Sequence, residues 1–179
     1  MATTASRNKT DGELCLIPFP REVLRGKGRF VFGDEVCIAA SDKRGPEDKF
    51  AATLLQEEIY EALQLRPRIV PSGGRRPIRI GRIGRDKTVD AALAKAGIVP
   101  APQLGEEGYI LRVTPEDILI AANNRAGAFY GVQTLRQLIR SNRKGNSIPC
   151  LTITDWPALA LRGWMDDISR GPIPTMDFL

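Results

Sequence analysis

EGYILRVTPEDILIAANNRAGAFYGVQTLRQL, residues 107–138, is the stretch from which the rest of the chain is best read. Tyr109 to Val113 and Ile118 to Ala122 are β-rich runs. Thr114-Pro115-Glu116-Asp117 between them places proline where a type I turn wants it, so the pair is expected to form a hairpin. After Asn123-Asn124, the residues Phe129, Val132, Leu135, Leu138 and Ile139 fall on one helical stripe. Gly127 and Gly131 are four apart and share a face. Two glycines inside a helix cost about 1 kcal/mol each relative to alanine, so this helix is expected to need a close approach to a sheet.

Upstream, Glu13 to Phe19 reads as a short extended segment stopped by Pro18 and Pro20. Gly28 to Phe32 and Val36 to Ala40 read as strands with Gly33-Asp34 as the turn between them. Gly45-Pro46-Glu47-Asp48 predicts a helix start, with proline and two acids in the first turn. Its apolar positions are Phe50, Leu54, Leu55, Ile59, Ala62 and Leu63. Arg68 to Val70 and Ile78 to Ile83 are further strands, separated by Ser72-Gly73-Gly74. Gly81-Arg82-Ile83-Gly84 lacks the glycine spacing of a phosphate loop and reads as strand-end glycines. Asp86 to Gly97 is a short helix closed by glycine, Ile98 to Leu104 a loop, and Ile148 to Thr154 a last strand. Several strands in mixed order with two strong helices predict an α+β fold, one mixed or antiparallel sheet with helices packed on it.

Composition narrows the function classes. At 42% hydrophobic and 26% charged, the 179 residues suit one globular domain of ordinary size, and no apolar run reaches the length of a membrane span. The +5 charge comes from scattered Lys and Arg with few aromatics among them, which argues against nucleic acid as a partner. With no histidine, Ser-His-Asp and Cys-His nucleophiles and His-ligated zinc are excluded within these residues. Cys15, Cys37 and Cys150 show no metal-type spacing; Cys37 and Cys150 lie in apolar runs and are expected as buried thiols. Residues 1–13 read as a flexible lead without a signal peptide's apolar region, and the Asn8-Lys9-Thr10 sequon there is weak evidence of glycosylation.

The tail is the most chemically loaded run. From Asp155-Trp156-Pro157 an apolar, strand-like core, Leu159 to Met165, leads to Asp166, Asp167, Ser169 and Arg170, and Thr175 could cap a following helix. Polar residues crowded at a strand's C-terminal end are how an α/β barrel begins an active site. Arg162-Gly163, an apolar pair, Asp167 and Ser169-Arg170 resemble the first barrel strand of glycoside hydrolase family 20, the β-N-acetylhexosaminidases. Ile17-Pro18-x-Pro20 and the 107–138 stretch resemble the small domain that precedes that barrel, so the resemblance covers most of 14–179. One departure is Gly171, where the family usually carries histidine.

The resemblance implies a lead at 1–13, a small α/β domain at 14–154, and a linker with the first strand of a truncated (β/α)8 barrel at 155–179. It implies a retaining hydrolase in which the substrate's 2-acetamido group is the nucleophile, assisted by an Asp-Glu pair that lies beyond Leu179. No metal or organic cofactor is implied, and these residues alone are expected to be inactive. The substrate would be an N-acetylhexosamine-containing glycan, with no nucleic-acid or membrane partner. Arg162 matches the arginine that binds the terminal sugar's outer hydroxyls, and a planar guanidinium suits that task. Read from the residues alone, Arg162 would instead be a buried arginine paired with Asp166 or Asp167. Asp167 is expected to support Arg162 or the strand end; Asp166, Ser169 and Arg170 are structural, Phe129 and Tyr130 core, and Trp164 faces the barrel interior. Alternatives are a non-catalytic interaction or carbohydrate-binding module, or the leading domain of another glycosidase family. An unpaired apolar strand at 158–168 would also favour self-association.

Overall fold

The computed structural model describes residues 14–40 and 46–163. Strands β1 (Glu22–Val31) and β2 (Cys37–Ala39) are followed by helix α1 (Pro46–Leu63), then β3 (Arg68–Val70) and β4 (Pro77–Arg82). Helix α2 (Lys87–Lys95), strands β5 (Tyr109–Val113) and β6 (Ile118–Ala122), helix α3 (Arg125–Ser141) and strand β7 (Ser147–Asp155) complete the order. The strands form one mixed sheet in the order β1-β7-β5-β6-β4-β2-β3. Its β1, β7, β5 and β6 run antiparallel to their neighbours, whereas β6, β4, β2 and β3 are joined in parallel. The expected α+β class is what the chain adopts.

Alternation along the strands builds two cores. Tyr109, Leu111 and Val113 on β5 and Ile118, Ile120 and Ala122 on β6 face α1 and α3. The intervening Ile110, Leu119 and Ala121 face α2 on the other side. The hairpin turn is held by the Thr114 and Asp117 side chains, with Thr114 Oγ1 3.0 Å from the Asp117 amide nitrogen that donates to it. Helix α2 begins at Asp86, whose carboxylate accepts from the Thr88 amide.

The two glycines of α3 are what let it lie on the sheet. A Cβ at Gly131 would stand 2.6 Å from Ile120 Cγ2, and one at Gly127 would strike the Gly108 carbonyl oxygen. Between the helices, buried Glu58 (2% exposed) accepts from Arg136 Nε at 2.9 Å and Arg140 Nε at 2.6 Å, joining α1 to α3. Cys37 and Cys150 are buried free thiols, and burial pushes both thiol pKa values up.

Three expectations need correction. Gly33-Asp34 does form a turn, with the Val36 amide bonded to the Gly33 carbonyl at 3.0 Å, but its flanking strands do not pair. β1 goes to the antiparallel edge and β2 to the parallel half, because the parallel pairing partners of β2 come from later in the chain. Phe50 is 57% exposed and stacks on Phe129, with ring centres 6.2 Å apart, outside the core. The buried face of α1 is made instead by Ala51, Ala52, Leu55 and Ile59. Finally, residues 159–163 form no strand. β7 ends at Asp155 opposite Tyr109, the first residue of β5, and β1 starts opposite Thr154, so no ladder partner reaches further.

Candidate functional site

Where β7 leaves the sheet, a half-open cleft of about 520 Å³ lies between the end of that strand and α3. Tyr130, Gln133, Thr134 and Gln137 line it from α3, at the i, i+3, i+4, i+7 spacing of a single helix face. Glu107 and Tyr109 come from the start of β5, Pro18, Phe19 and Arg21 from the segment before β1, and Asp155 to Leu159 and Arg162 from the exit of β7.

That segment before β1 is clamped by side chains acting as strand neighbours. Gln137 accepts from the Ile17 amide at 2.9 Å and donates to the Ile17 carbonyl at 3.0 Å. Asn142 does the same for Cys15, at 2.8 and 3.0 Å.

The joint at Asp155-Trp156 is fastened by Arg21 and Tyr109. Asp155 Oδ1 accepts from the Arg21 amide at 3.1 Å, and Oδ2 from the Tyr109 hydroxyl at 3.2 Å. That hydroxyl is 2.6 Å from Thr134 Oγ1 in the buried part of the cleft. Burial foremost pushes the Tyr109 phenol well above its ordinary range; the Thr134 contact opposes this, while Asp155 adds to it. Arg21 Nε donates to the Trp156 carbonyl at 3.0 Å, and its guanidinium lies 5.1 Å from the centre of the indole ring.

Arg162 then turns back onto the small domain. Its Nη1 donates to the Leu159 carbonyl at 2.6 Å and its Nη2 lies 2.5 Å from Glu107 Oε2. The Glu107 carboxylate first, and Tyr130 second, push the guanidinium pKa further up. Arg162 is therefore partly exposed, not buried, and its described acid partner is Glu107. The expected alternatives Asp166 and Asp167, together with Trp164, Ser169, Arg170 and Thr175, lie outside the described residues, as do the 1–13 lead and its sequon.

Tyr130 is also corrected. It lines the cleft, because the sheet-facing stripe of α3 runs through Ala128, Val132, Leu135 and Ile139 and leaves position 130 to one side. Phe129 is half-buried between Phe50 and Tyr130. Sequence reasoning missed Arg21, Tyr109, Thr134 and Asp155 as a connected set, although their residue types were in view; what joins them is spatial. Among the described residues no His, Cys, Asp or Glu cluster of metal-binding type occurs, and no helix is long and apolar enough to cross a membrane.

Residues 13–156 match glycosyl hydrolase family 20, domain 2. The chain belongs to glycoside hydrolase family 20. Relatives include a beta-hexosaminidase of Porphyromonas gingivalis, 31% identical over 89% of this chain and 19% of the relative. The N,N'-diacetylchitobiase of Vibrio harveyi is 32% identical, over 89% of this chain and 16% of that protein. In three dimensions, the N-acetyl-beta-hexosaminidase of Streptomyces plicatus superposes with a TM-score of 0.58 at 26% identity, over 79% of this chain and 26% of that one. The chain thus spans about a fifth of the length of the family 20 relatives it matches in sequence. The match ends at Trp156, beside the fastened joint, with Arg162 just beyond it.

Proposed function

We propose that this chain is the leading part of a β-N-acetylhexosaminidase-type hydrolase: a small α/β domain that ends at the Asp155-Trp156-Pro157 joint, followed by a catalytic barrel. The complete protein removes terminal N-acetylhexosamine from glycans by substrate-assisted, retaining catalysis. The acetamide oxygen attacks the anomeric carbon as the glycosidic bond breaks, and a carboxylic acid protonates the leaving oxygen. The Asp-Glu pair that this requires is not among the 179 residues, so they contribute no catalytic residue. Arg162 binds outer hydroxyls of the terminal sugar. Asp167 keeps the supporting role that the family pattern implies.

The observation that carries this reading is the family 20 match over residues 13–156, running up to a joint beyond which Arg162 is presented partly exposed. The test compares two proteins against an aryl N-acetylglucosaminide. The full-length protein should hydrolyse it with retention of anomeric configuration in the first-formed product, read by proton NMR. The 179-residue chain should release no aglycone. Hydrolysis by the shorter chain, or inversion by the longer one, overturns the assignment.

A further inference from the structure

Glu107, on the small domain's cleft rim, has its backbone held on both sides. Before it, a 3-10 turn, Pro102–Leu104, leads into Gly105, and the Gly105 carbonyl accepts from Asn123 Nδ2 at 2.9 Å. After it, the Gly108 amide donates to the Leu104 carbonyl at 2.7 Å. A Cβ at Gly108 would stand 2.6 Å from Leu104 Cα, so only glycine permits this turn. Gly127 of α3 packs directly on the Gly108 carbonyl, and Tyr109 starts β5 with its hydroxyl bound on two sides. The backbone that carries Glu107 is therefore fixed by the sheet and by α3.

Opposite it is Arg162. Apolar burial does not explain why the segment after the joint returns to the small domain, since Leu159 is 65% and Leu161 89% exposed. The described contact that brings it back is polar, from Arg162 to Glu107, while the bond from Arg162 to the Leu159 carbonyl is internal to the segment. We propose that Glu107 is a positioning residue for the terminal-sugar subsite: it fixes the Arg162 guanidinium in one orientation before sugar arrives. The inference rests on Arg162 being a sugar-binding residue, as assigned above.

The chemistry follows from the donor count. A guanidinium carries five N–H donors, so bonds to Glu107 and Leu159 leave others free to meet hydroxyls. An arginine on a free stem would lose its rotamer freedom when sugar binds; one already held by a carboxylate loses it when the protein folds. Glu107 would then act on binding and leave the bond-breaking step alone.

The experiment uses the full-length enzyme with an aryl N-acetylglucosaminide, and the variants Glu107→Ala, Glu107→Gln, Arg162→Ala and the Glu107→Ala/Arg162→Ala double. A charge-assisted bond lost from a binding residue should raise KM about tenfold in Glu107→Ala, with kcat held within about twofold. Its thermal midpoint should stay at the wild-type value, because the side chain is on the rim. Glu107→Gln should recover part of KM, because its amide oxygen still accepts. In the Arg162→Ala background, Glu107→Ala should change KM no further. Unchanged KM in Glu107→Ala, or an equal loss in both backgrounds, removes the inference and leaves the sugar role of Arg162 standing. Wild-type KM in Arg162→Ala removes both.

Discussion

Tyr109 shows how one side chain can serve packing and position at once. Its ring lies in the α3-side core, while its hydroxyl reaches Thr134 and Asp155 at the cleft floor. A buried phenol that resists ionisation holds its proton more tightly in the folded state. Its contribution to stability is therefore present below the unfolded pKa of about 10 and is lost as pH climbs from there toward the raised folded value. Cys37 and Cys150, also raised by burial, add to the same alkaline loss from their unfolded pKa of about 8.5. Urea melts of the 179-residue chain between about pH 8 and 11 should show falling stability, and Tyr109→Phe should flatten the upper part of that slope. At neutral pH the same variant should lose about 1 kcal/mol for its hydroxyl bonds. An alkaline limb identical in Tyr109→Phe and the parent would refute this account.

At the scale of the element, α3 organises both the sheet and the cleft. One side of it meets β5 and β6 through Gly127 and Gly131, a second carries the cleft residues, and its end clamps Cys15 and Ile17. Alanine at either glycine gains about 1 kcal/mol of helix propensity. At Gly131 the new methyl meets the Ile120 side chain at 2.6 Å, and the net loss should be about 1–2 kcal/mol. At Gly127 it meets backbone, the Gly108 carbonyl, which cannot rotate away, so Gly127→Ala should be the worse of the two. Gly33→Ala, where a Cβ meets open space, is the matched control and should be near neutral. Equal denaturation midpoints for Gly127→Ala and Gly33→Ala would refute the close-packing account.

For the whole molecule, the question is where the small domain ends. The sequence reading sets the limit at Thr154. We propose a limit after Pro157, since Asp155 is bonded to Arg21 and Tyr109, and Trp156 lies under the Arg21 guanidinium. A chain of residues 14–157 should unfold cooperatively at the midpoint of the 179-residue protein. A chain of 14–154 should be less stable by about 2 kcal/mol, from the lost hydrogen bonds and cation-π contact. Coincident urea midpoints for the two truncations would put the limit back at Thr154. The exposed Leu159 and Leu161 add a related expectation: any self-association of the 179-residue chain should disappear in 14–157.

Much of this architecture was local enough to be legible. The 109–122 hairpin, both long helices, the short α2, the tight α3 glycines and the buried Cys37 and Cys150 follow from propensity, periodicity and turn chemistry between near neighbours in the chain. Family membership was legible too, because its motifs occur in fixed order. Strand partners were not, since β1 pairs with β7 and β2 with β4 across separations that no local signal spans. Nor was the exposure of Phe50 and Tyr130, because apolar character does not say which side of a helix its neighbours will cover. The partner of Arg162 illustrates the same limit. Among the described residues that partner is a carboxylate 55 residues earlier, carried to it by the start of β5, while Asp166 and Asp167 lie outside them. An ion pair forms where the backbone brings charges within reach, and only the tertiary fold sets that distance.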